Sequence, residues 1–159
     1  MIKTLKEAFA LLPEKMRKPA AGQMVLAICC QESNLVYRRQ LGNGPARGLP
    51  QFEKGNAKTH GGVWGVMNHK ASRDLAREVC VARGIRDPNN IESIWAALEF
   101  DDVLALALAR LLLWTDSKPM PEYQAEGWDT YLRVWNPGKP LPNKWPASWA
   151  TARGIMDGR

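Results

Sequence analysis

Glu32 stands where a carboxyl group becomes a chemical tool. Met24, Ile28 and Glu32 recur every four residues, so a helix places them on one face, with Val25 and Cys29 beside them. A carboxylate at the end of an apolar face is costly unless it is paired or protonated. Burial disfavours its charged form and raises its pKa. A carboxylic acid still protonated near neutral pH is what general-acid catalysis requires. The alternative is a frayed helix end from which Glu32 reaches solvent. The other metal- and nucleophile-type residues form no such pattern. Cys29 and Cys30 are adjacent in an apolar run, and the third cysteine leaves an odd count, so neither a disulfide framework nor a CxxC metal spacing can be drawn. His60 and His69 flank a glycine-rich stretch around Trp64 with no third ligand nearby. They read as loop and surface residues, and no metal or other cofactor is expected.

The elements that must carry Glu32 are mostly helical. From Thr4 to Leu12, residues Leu5, Ala8, Phe9 and Leu12 share one face. From Ala20 to Ser33 the chain is apolar nearly all round, the pattern of a buried helix. Between Gly42 and Gly62 fall six glycines with Pro45 and Pro50, which predicts loop with a small, irregular β-hairpin. Ser72 can cap a helix through Leu75, Ala76, Val79 and Cys80, stopped by Gly84. Asn90 can cap Ile91 to Leu98. Asp101 to Trp114 is the candidate central helix, with Asp101 and Asp102 where the helix dipole favours carboxylates. Two more helices are expected near Gly127–Trp135 and Pro146–Met156, joined by a segment with four prolines.

Composition narrows the class. A chain of 159 residues with 45% apolar and 24% charged residues is a single domain able to bury a core; a disordered chain, a collagen and a coiled coil are excluded. Lys plus Arg is 22 and Asp plus Glu is 16, so the net charge is 22 − 16 = +6. That balance favours a polyanionic partner: nucleic acid, an anionic membrane or an anionic wall polymer. No apolar run is long enough to span a bilayer, so no integral membrane segment is expected. Glu7 and Glu14 break the pattern of a signal peptide, and the chain reads as made in a reducing cytosol.

Three short elements occur in order. Gln31-Glu32-Ser33 ends the buried helix. Gly44-Pro45-Ala46-Arg47-Gly48-Leu49-Pro50-Gln51-Phe52 follows, and Trp135-Asn136-Pro137-Gly138 comes late in the chain. Together they resemble the lysozyme-like superfamily, in particular the branch of soluble lytic transglycosylases and goose-type lysozymes. There a Glu-Ser pair closes a buried helix and a Gly-Ala-x-Gly-Leu-Met-Gln segment follows. Here Pro45 splits Gly44 from Ala46, Pro50 stands where Met is usual, and Trp135 replaces a Tyr. The string from Arg38 to Glu53 is similar to phage-encoded peptidoglycan hydrolases. The resemblance implies a mainly α (α+β lysozyme-like) fold over residues 1–159, with the β-hairpin following the catalytic helix.

It also implies an activity: cleavage of the β-1,4 bond between N-acetylmuramic acid and N-acetylglucosamine. Glu32 would protonate the glycosidic oxygen as the bond breaks through an oxocarbenium-like transition state. A lytic transglycosylase needs only that carboxyl, because the muramoyl 6-hydroxyl attacks and leaves a 1,6-anhydro product. A muramidase uses water and usually a second carboxylate, for which Glu53 is the candidate. A separation of roughly 6.5–9.5 Å would suit water activation and about 5–5.5 Å a covalent route. The bland alternative is a hairpin Glu53 paired with Lys54 or Arg47. Ser33 would orient Glu32 or cap the backbone, Gln51 would bond an N-acetyl group or hydroxyl, and Gly48 would allow close backbone approach or positive φ. Trp135 would pack on a pyranose face and Asn136 would bond an acetamido group, against the alternatives of core packing and helix capping. Arg38, Arg39, Arg47 and Lys54 would make a basic rim that attracts peptide-stem carboxylates.

The partner expected is the peptidoglycan glycan strand, reached through a separate pore-former or with a phage particle, possible neighbours then including other virion proteins. The chain is expected to be a monomer in isolation. A non-catalytic wall-binding or virion module is a second reading, opposed by the acid on that apolar face. A nucleic-acid-binding domain is a third, opposed by scattered basic residues and the lack of a recognisable binding motif.

Overall fold

The second helix has no solvent-facing side. In the computed structural model, which describes residues 1–159, α2 spans Pro19–Ser33, and every residue from Ala21 to Gln31 is buried. α6 (Asp102–Trp114) is also enclosed, buried throughout from Val103 to Leu113. These two all-round apolar helices form the centre; α1, α3, α4 and α8 lie against them, and α5 and α7 pack on that layer. α1 (Ile2–Ala10) packs on α6 through Leu5, Ala8 and Phe9. α8 (Trp145–Met156) lies along α2. α3 (Gly62–Asn68) and α4 (Arg73–Ala82) pack against α6, and α5 (Ile91–Ala97) packs on α3. α7 (Gln124–Trp135) contacts α8. One continuous apolar core joins them. No helix is long and apolar enough to cross a membrane.

Local chemistry sets the helix limits. Asn90 accepts from the Ser93 amide at 3.0 Å, and Asp101 accepts from the Leu104 amide at 2.9 Å, so both act as N-caps. Gly84 follows α4 with φ +79°, a left-handed stop that a side chain would resist. Ser72 precedes α4 as expected, but its hydroxyl donates to the Val66 carbonyl at 2.7 Å instead of capping the helix. That bond ties α4 back to α3. Arg110 is the one charge inside the central pair. Its Nε donates to the Met16 carbonyl at 2.8 Å, and burial pulls its pKa down to about 10.

One expectation is corrected. The small β-hairpin does not form between residues 42 and 62. Two isolated antiparallel bridges stand in its place, Arg39 to Arg47 and Arg47 to Phe52. Pro45 and Pro50 supply no ladder donors, and Gly48 and Gln51 both take positive φ, so pairing ends after a single step. A helix the sequence pattern does not reveal, α3, runs between His60 and His69 and carries Trp64. The glycines that obscure this helix are there for space: a Cβ on Gly65 would sit 2.5 Å from the His60 carbonyl oxygen.

The enclosed helices set the stability. Leu106 is fully buried in α6. Leu106→Ala should cost about 2–5 kcal/mol, combining lost burial with a cavity the rigid helix pair cannot close. Urea unfolding followed by circular dichroism checks this; a loss below about 1 kcal/mol would show that α6 repacks freely.

Candidate functional site

α2 ends in two consecutive left-handed residues, Asn34 with φ 54° and Leu35 with φ 60°. The Leu35 amide returns to the Cys29 carbonyl and the Asn34 amide to the Cys30 carbonyl, which closes the helix abruptly. This stop leaves Glu32 on the wall of a cleft of about 990 Å³. Gln51, Phe52 and Glu53 line the same cleft from the segment after α2, and Trp135, Asn136 and Leu141 line it from the end of α7 onward.

Glu32 is not frayed into solvent. The Tyr131 hydroxyl donates to its Oε1 at 2.5 Å, from α7 and 99 residues away. Tyr131 is itself fixed in an aromatic stack. Its ring lies 5.3 Å from that of Trp145 at an interplanar angle of 16°, and 5.4 Å from that of Trp128. Trp145 continues the stack to Trp149 and donates its Nε1–H to the Gln124 carbonyl at 2.9 Å. Gly127 makes room for it, since a Cβ there would fall 2.4 Å from the Trp149 ring.

The residue before Glu32 binds the last part of the chain. Gln31 donates from Nε2 to the Leu141 carbonyl at 3.0 Å and accepts at Oε1 from Ser148 Oγ at 2.9 Å. The Gln31 backbone carbonyl accepts from Lys144 Nζ at 2.5 Å. The proline-rich segment before α8 is thereby fastened to the end of α2 at two points, Leu141 and Lys144, and α8 itself at a third, Ser148.

These surroundings oppose one another at Glu32. Burial is the largest influence and raises its pKa above the ordinary 4.5. The Tyr131 bond and the Lys144 charge pull it down, and the Glu53 charge adds a smaller upward push. Burial wins, so the protonated form persists to higher pH than in an exposed glutamate. Tyr131 is shifted upward by burial and by the Glu32 charge, which keeps it a hydroxyl donor. Lys144 is shifted downward, mainly by its own burial.

The other expected site residues divide. Glu53 lines the cleft, is exposed, and pairs with neither Lys54 nor Arg47: Lys54 bonds Glu92 at 2.5 Å and Arg47 bonds Glu99 at 3.2 Å. Gln51 lines the cleft in a left-handed conformation with φ 55°. Its amide nitrogen is committed to the Gly48 and Tyr37 carbonyls, so its oxygen is the group free to meet a ligand. Trp135 lines the cleft, with its ring 5.6 Å from that of Phe52 and its Nε1–H on the Pro50 carbonyl at 2.9 Å. Asn136 is exposed in the cleft and closes α7 at φ 48°. Two assignments change. Ser33 is buried, and its hydroxyl donates to the Cys29 carbonyl at 2.9 Å, so it backs the helix rather than touching Glu32. Gly48 does have positive φ, but its close approach is to Leu98 and Ala105 rather than to the cleft.

The basic rim is also different from the one expected. Arg38 makes a two-point pair with Asp102 at 2.8 and 2.6 Å, while Arg39 and Arg47 share Glu99. Arg47 and Lys54 both lie over the Trp95 ring, at 4.4 and 4.3 Å. These charges fasten the segment 38–54 to α5, to Glu99 just beyond it and to α6, and three carboxylates offset most of the four positive charges. No three His, Cys, Asp or Glu side chains gather into a metal site.

The raised pKa carries a stability consequence. Below about pH 4 Glu32 is protonated whether the chain is folded or unfolded, so its environment adds no pH dependence. Above the ordinary value of 4.5 the unfolded chain ionises freely, while the native state must ionise a buried group. Stability therefore falls as pH rises through the folded-state pKa. Glu32→Gln keeps an oxygen to accept from Tyr131 and removes the charge. Its thermal midpoint should match wild type near pH 4 and exceed it near pH 7. Equal midpoints at both pH values would show that Glu32 ionises without cost.

No family model, curated protein or solved structure matches the chain, and the chemistry of the cleft is what bears on function.

Proposed function

We propose that this chain cleaves the β-1,4 bond between N-acetylmuramic acid and N-acetylglucosamine in bacterial peptidoglycan, as a lytic transglycosylase with Glu32 as acid and base. The observation that carries this reading is a carboxyl group whose pKa is raised by burial, which borders an open cleft and is held in one orientation by Tyr131. The order of the three short sequence elements around Glu32, Gln51 and Asn136 supports a lysozyme-like arrangement of the helices.

The chemistry runs as one proton cycle. Protonated Glu32 gives its proton to the glycosidic oxygen, and the bond from that oxygen to the muramoyl anomeric carbon breaks. Positive charge develops on the ring as an oxocarbenium-like state, beside a newly formed Glu32 carboxylate. The Tyr131 hydroxyl stabilises that carboxylate through a charge-assisted bond. The muramoyl 6-hydroxyl then attacks the anomeric carbon and returns its proton to Glu32. No water is consumed and the product is a 1,6-anhydro sugar. Trp135 offers an apolar face to a pyranose ring, and the Gln51 oxygen and Asn136 amide offer polar partners to its substituents.

Glu53 favours a second reading, a muramidase. It is a carboxylate in the same cleft with neither neighbouring cation engaged to it, and its charge acts on Glu32. It would activate water in place of the 6-hydroxyl. Under either reading the protein serves a phage as a lysis enzyme or a virion component. It is made in the host cytoplasm and meets periplasmic peptidoglycan through a pore-former or with the particle.

Mass spectrometry of fragments released from purified sacculi tests both. The transglycosylase reading expects 1,6-anhydromuramic ends, loss of at least about a thousandfold in rate for Glu32→Gln, and little change for Glu53→Gln. Ordinary reducing muramic ends, with Glu53→Gln also inactive, establish the muramidase. Full activity in Glu32→Gln, or no fragments from wild type, removes glycan cleavage by this site.

A further inference from the structure

The segment between α7 and α8 holds three prolines and, at its end, Lys144. Lys144 is half-buried and lies outside the cleft lining, so it is not placed to touch a bound strand. Its ammonium is nevertheless fixed. It donates to the backbone carbonyl of Gln31, one of the terminal carbonyls of α2. The usual partner of that carbonyl would be the Leu35 amide, but the left-handed stop at Asn34 and Leu35 turns that amide back to Cys29. Lys144 thus caps an orphan carbonyl at the negative end of a helix dipole, where a cation is favoured. The capped carbonyl belongs to the residue before Glu32.

The charged and titratable groups acting on Glu32 can be named. Tyr131 faces it from α7, and Lys144 from the turn before α8. Glu53 acts on it from the segment after α2, and Cys30 lies on its own helix between Lys144 and the core. α8 contributes Ser148, which is neutral and bonded to Gln31. Lys144 is the only cation in this set. Arg133 and Lys139 line the cleft, but Arg133 is held by Asp116 at 2.6 Å and neither acts on Glu32 appreciably.

We propose that Lys144 is a positioning residue for Glu32, a counter-charge clamped behind the end of α2 that makes the carboxylate half of the proton cycle accessible. This rests on the reading of Glu32 as acid and base. Burial favours the protonated form of Glu32 and suits it to the first step. The second step needs the carboxylate to exist long enough to accept a proton. A hydroxyl from Tyr131 helps, and a full positive charge that never enters the cleft helps without competing for the substrate. The residue acts through Glu32 and takes no part in bond making.

Three variants separate charge from capping. Lys144→Gln keeps an N–H donor for the Gln31 carbonyl and loses the charge. Lys144→Arg keeps both. Lys144→Met loses both and is the variant most at risk of unfolding. Carbon-13 NMR titration of the Glu32 carboxyl in the full chain reads the effect with no substrate present, so it stands whether or not the protein cleaves glycan. The expected result for Lys144→Gln is an upward move of the Glu32 midpoint by about half a pH unit or more, a roughly threefold change in ionised fraction. Lys144→Arg should restore the wild-type midpoint. In sacculus assays the acid limb of the rate profile should move upward by the same amount, with kcat reduced and KM unchanged. A Glu32 midpoint in Lys144→Gln indistinguishable from wild type overturns the proposal. So does a shift of equal size in Lys144→Arg, because the effect would then belong to the cap and not to the charge. If wild type releases no fragments while the NMR shift is seen, the coupling holds and the glycan-cleaving reading fails.

Discussion

One carboxyl group at the end of a helix with no wet side is the constraint around which this molecule is arranged. α2 is buried from Ala21 to Gln31, so whatever follows on the same helix inherits a dry setting. Glu32 cannot be left there alone, because an unpaired buried carboxylate is among the more costly features a fold can carry. The chain meets this in three ways. Asn34 and Leu35 stop the helix one residue after Ser33, so that Glu32 borders the cleft rather than the core. α7 brings the Tyr131 hydroxyl to the carboxyl. The segment before α8 brings Lys144 and is itself pinned by Gln31. Elements remote in sequence converge on one side chain because that side chain needs them.

The helical parts of this arrangement are legible in the amino-acid order. α2 and α6 announce themselves as apolar on all sides, and Asn90 and Asp101 are caps whose side chains bond as their positions suggest. Glu32 stands out because its spacing from Met24 and Ile28 is local information. Glycine-rich stretches are harder to read. The same residues that suggest a hairpin turn at Gly48 also serve tight packing on Leu98, and Gly62 and Gly65 conceal a short helix. Ser33 follows the helical alternative for a terminal serine and bonds four residues back.

The partners of Glu32 are not legible, for a physical reason. Tyr131 and Lys144 lie roughly a hundred residues away, and nothing in a one-dimensional pattern says which tyrosine or lysine will face which acid. Trp128 and Trp145 read as generic apolar bulk, yet both rings pack against Tyr131 and against each other. The net charge of +6 misleads in the same way. Arg38, Arg39, Arg47 and Lys54 cluster in sequence beside the cleft, but Asp102, Glu99 and Glu92 offset most of that charge in space. The attraction these four residues could exert on an anionic polymer is therefore much smaller than their number suggests.

The two segments that build the cleft are attached by different forces. Residues 38–54 are tied to α5 and α6 by partly exposed ion pairs and by two cations over Trp95. α7 and the segment before α8 are held by stacked indoles and by the uncharged Gln31 and Ser148 bonds, with the Arg133–Asp116 pair and the Lys144 ammonium as their charged contacts. Mobile ions screen the first kind of attachment at a Debye length of about 8 Å under physiological conditions, and scarcely touch the second. Brine should thus loosen the Gln51 and Glu53 side of the cleft while Tyr131 keeps its grip on Glu32. In this protein the Tyr131 hold on the proton-bearing group depends less on the ionic composition of its surroundings than does the segment that would grip a ligand.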